Sequence, residues 1–123
     1  MEIEYANSKV QEQCTSLKAA LKLFGGNEQL AISLFARINA LENAEVIKDI
    51  VNQHSFRFHS LENFGKSKLR GMFAIDVKTK KEPWRIILQP LNDDKQVFDP
   101  CYIDRISSIV RIVCVKEISK HYG

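Results

Sequence analysis

"FRFHSLENFGKSKLRGMFAIDV", residues 56–77, decides how this chain is read. At its start Phe56, Phe58 and Ser60 alternate with Arg57, His59 and Leu61, the two-residue period of a strand. A short loop follows that holds Lys66, Lys68 and Arg70, and "MFAIDV" then resumes the alternation. In that second strand Phe73, Ile75 and Val77 face a core, while Met72, Ala74 and Asp76 turn away. The segment predicts two strands joined by a basic loop, with Arg57 and His59 on one face. A solvated hairpin and a phosphate-handling surface both account for that charge.

Further strands lie C-terminal to this stretch. "VKTKKEP" predicts a charged hairpin loop, and "WRIILQP" returns with Trp84, Ile86 and Leu88 opposite Arg85 and Ile87. "SSIVRIVCVKEI" is β-branched enough for a last strand, whereas residues 91–108 show no regular period. N-terminal to it, "MEIEY" alternates as a half-buried strand. Ser8 with Gln11 makes a capping box for a helix whose stripe is Val10, Cys14, Leu17, Leu21 and Phe24. Gly25-Gly26 ends that helix, Asn27 caps a second with Leu30, Leu34, Ile38 and Leu41, and "NAEVIKDIV" reads as a third. The expected fold is α+β. An N-terminal strand and two to three helices pack on one face of a curled, mainly antiparallel sheet, whose other face is free for a site.

Its 123 residues suffice for one domain, residues 1–123, with one apolar core. Cys14, Cys101 and Cys114 lack metal-ligand spacing and read as reduced thiols. No apolar run approaches the roughly 20 residues of a membrane span, and "MEIEYANSKV" lacks a signal-peptide core. A cytoplasmic location without membrane contact is therefore expected. The net charge of +3 is unevenly spread: residues 1–55 hold five Lys/Arg against seven Asp/Glu, and residues 57–85 hold eight against three. A positive field focused on one segment suits a polyanionic partner.

The order of these pieces resembles the HigB branch of the RelE/ParE toxins of bacterial type II toxin–antitoxin systems. The matching residues are Arg57, His59 and Leu61; the basic Lys66, Lys68 and Arg70; Gly71, Phe73, Asp76 and Val77; Trp84 and Arg85; and His121 and Tyr122. They span residues 56–91 and 109–122, and residues 91–108 look like an insertion. Many members end in Asp-Tyr-His, whereas this chain ends Lys120-His121-Tyr122-Gly123, with the two side chains reversed and no Asp. The resemblance implies a RelE/ParE-like fold and a ribosome-dependent endoribonuclease that cuts translated mRNA in the A site. It implies a cognate helix-turn-helix antitoxin (HigA-like), operator DNA bound only through that antitoxin, a toxin–antitoxin heterotetramer, and no cofactor. Relatives that poison DNA gyrase, and a non-catalytic RNA-binding module, are the alternatives.

RNA cleavage without a metal needs a base for the 2′-OH, a cation for the phosphorane and an acid for the 5′-oxygen. His59 and His121 suit proton transfer, with Tyr122 beside them, because imidazole changes charge near neutrality. Arg85 suits the charge-stabilising role through its planar fork, and a cross-strand ion pair with Asp76 is its structural alternative. Arg57, Lys66, Lys68 and Arg70 are candidate phosphate-binding residues. Both His59→Ala and Arg85→Ala are expected to relieve growth arrest without unfolding the domain.

Overall fold

Asn7 rather than Ser8 starts the first helix: its side-chain oxygen accepts from the Val10 amide at 2.9 Å, so Ser8 is already helical. The structure, a computed structural model, describes residues 1–61 and 69–120. The single helix expected over residues 8–24 is two, α1 (Ser8–Thr15) and α2 (Leu17–Leu23). The break comes at Ser16, whose extended backbone interrupts the turn while its hydroxyl caps α2 at the Ala19 amide, 3.3 Å away. A serine competes with helix by bonding nearby backbone, which makes it a better cap than interior residue. Asn27 caps α3 (Glu28–Asn43) as expected, through its bond to the Leu30 amide. The third helical piece is α4 (Ile47–Val51), whose first amides donate to the carbonyls of Val110 and Ser107.

Five strands form one mixed sheet among the described residues: β1 (Glu2–Tyr5), β2 (His59–Ser60), β3 (Phe73–Asp76), β4 (Arg85–Leu91) and β5 (Ile112–Ser119). Their order is β1-β5-β4-β3-β2, with β1 parallel to β5 and every other pair antiparallel. Lys116 is an extra residue on β5: Ile87 pairs with Glu117 and Leu88 with Val115. Pro90 lies past the last β3–β4 pair, where β3 no longer runs beside β4 and a missing amide is tolerated.

The two faces of the sheet differ. Ile75, Val77, Ile86, Leu88, Val113, Val115 and Ile118 pack with Leu30, Leu34, Ile38 and Leu41 of α3 in the main core. Leu34 and Leu41 are fully buried, and truncating either to alanine costs about 2–5 kcal/mol. The opposite face, expected to be bare, is partly covered. Leu61 and Leu69, at the two ends of the basic loop, fold onto Ala74 and Ile87 in a second small cluster. Residues 91–108, read as irregular, include a bridge between Leu91 and Val97 and the short helix α5 (Ile103–Ile106). Within this excursion Lys95 reaches the carboxylates of Glu2 and Glu4 at 2.9 and 3.3 Å, linking it to β1.

Candidate functional site

Strand register places the expected residues. Residues directly opposite one another share a face, so His59, Ala74, Ile87 and Glu117 form one row across the side turned from the helices. The next row holds Asp76, Arg85 and Ser119. His59 and Arg85 therefore lie on the same face, one row apart. Arg57 joins the second row through its side chain, not its strand position. The strand expected to include it is only His59–Ser60, and Arg57 follows a 3₁₀ turn over His54–Phe56 with φ +51°.

Asp76 is the centre of this arrangement. Its carboxylate is 1% exposed and takes a two-pronged contact from Arg57, Nε to Oδ2 at 2.8 Å and Nη2 to Oδ1 at 3.0 Å. The Arg85 Nε stands 3.1 Å from Asp76 Oδ1, an ion-pair distance at which its N–H is not aligned to donate. Arg37, from α3, adds a third guanidinium: its Nε donates to the Asp76 carbonyl at 3.0 Å and its Nη2 to the Lys78 carbonyl at 3.1 Å. The same group lies 4.1 Å above the Phe56 ring. Burial pulls the Arg37 guanidinium below its ordinary pKa, and nearby Asp76 opposes that shift.

The expected role of Arg85 as a phosphate cation meets a different geometry. Arg85 is 4% exposed. Its Nη1 donates to the carbonyls of Glu82 and Trp84, and its Nη2 to that of Lys80 at 3.2 Å. Those bonds tie Arg85 to the β3–β4 hairpin loop and engage both terminal nitrogens that would grip a phosphoryl group. The cross-strand pair with Asp76 is what the structure shows.

His59 is half-buried at the sheet edge, and its Nδ1 is 2.6 Å from the Arg57 carbonyl. A carbonyl only accepts, so Nδ1 carries the hydrogen of this bond, which in the neutral ring leaves the lone pair on Nε2. That Nε2 is buried and has no hydrogen-bond partner among the described residues. A bare imidazole lone pair with a fixed ring is suited to accept a proton. Arg70 is exposed but lies farther along the face, where with Gln89, Phe98 and Cys101 it lines a cavity of about 250 Å³. Lys66, Lys68, His121 and Tyr122 lie outside the described residues.

Sequence reading thus brings together Arg57, His59 and Arg85, and the structure adds Arg37 and gives Asp76 a central place. Arg37 had a signal: it is the lone charge in the apolar run from Leu30 to Leu41, a position that asks for a buried partner. Among the described residues no group of three His, Cys, Asp or Glu side chains could hold a metal ion, and no helix is long and apolar enough to cross a membrane. Comparison of the chain with known families, curated proteins and solved structures finds no significant match.

Proposed function

We propose that this chain is the toxin of a type II toxin–antitoxin system, a HigB-like member of the RelE/ParE superfamily that cleaves translated mRNA in the ribosomal A site. The observation that carries the reading is His59, held through Nδ1 with Nε2 unpartnered, on a sheet face that also carries Arg57. Nε2 takes the proton of a ribose 2′-OH, the 2′-oxygen bonds to the adjacent phosphorus, and the P–O5′ bond breaks. The products are a 2′,3′-cyclic phosphate and a 5′-hydroxyl. The acid that protonates the departing oxygen is assigned to the His121–Tyr122 tail by the family resemblance alone. Arg57 takes the place of Arg85 beside the phosphorane while its fork stays on Asp76, since its side chain is 31% exposed and Arg85 is enclosed.

Nε2 is screened from solvent in the free protein, so message must displace its cover before transfer can occur. Catalytic contacts that tighten only in the complex are common. Ribosomal alignment of the mRNA supplies the positioning that this small face does not. Lys66, Lys68 and Arg70 add phosphate contacts, and the mildly acidic helical half is the surface for a helix-turn-helix antitoxin that assembles with the toxin in a cytoplasmic heterotetramer.

The test is cleavage of mRNA on translating ribosomes, with ends mapped. Wild-type protein cuts within the A-site codon, and His59→Ala lowers the rate by about 10²–10⁴-fold while keeping its circular dichroism spectrum. Message left intact by folded wild-type protein overturns the nuclease. If DNA supercoiling then fails, the gyrase-directed reading takes its place.

A further inference from the structure

Histidine presents two nitrogens, and in water the neutral ring of the amino acid favours the hydrogen on Nε2. This protein holds the other form. The bond from Nδ1 to the Arg57 carbonyl leaves the lone pair on Nε2, the atom the proposed cleavage needs. What selects the tautomer is therefore whatever aims that carbonyl.

Arg57 is a non-glycine residue at φ +51°, a left-handed backbone that costs about 1–2 kcal/mol. Contacts with His54 and Asp76 hold it there. Its amide donates to the His54 carbonyl at 3.1 Å, closing the 3₁₀ turn, and its guanidinium forks onto Asp76 across the sheet edge. Asp76 in turn is fixed: it is buried in β3, its main-chain carbonyl is held by Arg37 from α3, and its Oδ1 lies beside Arg85 of β4. The chain of contacts runs from core to ring without a gap.

We infer that Asp76 is a positioning residue that acts through Arg57, turning the Arg57 carbonyl onto His59 Nδ1 and so keeping Nε2 free of hydrogen. This inference rests on the nuclease reading for its consequence, though the tautomer itself can be measured without RNA. Asp76, at 1% exposed, is enclosed and not open to a substrate. It serves His59 as a buried carboxylate serves the histidine of a Ser-His-Asp site, here with one arginine residue interposed.

The experiment uses the full chain, labelled with ¹⁵N, and long-range ¹H–¹⁵N correlation of the His59 ring at alkaline pH, where imidazole is neutral. In wild-type protein Nδ1 should show the protonated shift and Nε2 the bare one. Asp76→Asn and Arg57→Ala should move the ring toward a mixture with hydrogen on Nε2, in free protein. Single-turnover mRNA cleavage should fall about 10-fold or more in the same variants, toward the ~10⁴-fold that a wrong tautomer costs in a Ser-His-Asp site. Should Asp76→Asn not fold, Arg57→Ala decides, because it removes a partly exposed side chain and leaves Asp76 paired with Arg85. Loss of a phosphate contact alone cannot shift the spectrum of RNA-free protein.

A wild-type ring with hydrogen on Nε2, or variants that keep the wild-type ring spectrum, overturn the inference whatever the cleavage assay gives. Shifted tautomers with undiminished cleavage overturn it as well. Shifted tautomers beside a wild-type protein that leaves mRNA intact would uphold the positioning device and remove the nuclease reading.

Discussion

Arg85 reaches the Asp76 carboxylate from β4 and Arg57 from the end of a 3₁₀ turn, and their surroundings set opposite expectations for each. Arg85 is enclosed, with its terminal nitrogens on three backbone carbonyls. Deleting it strands those acceptors and takes one cation from a buried carboxylate. Arg85→Ala should therefore cost about 3–5 kcal/mol, read as a lower urea midpoint, and its loss of toxicity would follow from unfolding. This replaces the expectation from sequence that the variant stays folded. An unchanged midpoint would restore Arg85 to the candidate site. The pairing with Asp76 was legible in part, since opposed charges on adjacent strands commonly meet. The extra carbonyl bonds were not, because they depend on how the hairpin loop curls back.

Elements were legible where period and capping agreed. The alternation of β1, the α3 stripe and the β3 and β4 faces all follow sequence. The limits of α1 and β2 do not. Asn7 and Ser8 are both good caps, and the chain uses the one whose oxygen meets the Val10 amide. Asn7→Ala should then cost about 1 kcal/mol in chemical denaturation, while Ser8→Ala stays within about 0.5 kcal/mol. The reverse ranking would return the start of α1 to Ser8. In β2, Arg57 has strand-like neighbours but leaves the strand, because its fork onto Asp76 and its bond to His54 hold a conformation that propensity disfavours.

The whole molecule is a sheet between unequal layers, and two titratable groups sit where α1 meets the sheet. Burial pushes the Cys14 thiol up to about 12 from 9.0. Tyr5 is also raised to about 12 from 10.0, first by burial and then by the charges of Cys14 and Glu42. Both groups favour the neutral form more in the folded than in the unfolded chain. Their stabilising contribution is complete below pH 9 and is lost as pH climbs toward 12. The urea midpoint should fall progressively over that window, and Cys14→Ala should flatten the fall. A Cys14→Ala profile as steep as wild type would show that the thiol carries none of it.

By itself the sequence determined the class of the fold, the helix-facing residues of β3 and β4, and the alternation that sets His59 and Arg85 on the other face. Each of those is a local matter of period, sign and turn chemistry. Tertiary structure alone decided that Arg85 is enclosed, that Leu61 and Leu69 cover part of the second face, and that Arg37 arrives from α3. It also decided which nitrogen of His59 carries the hydrogen. Burial and hydrogen-bond partners come from segments distant along the chain, and no local pattern encodes which distant group will arrive.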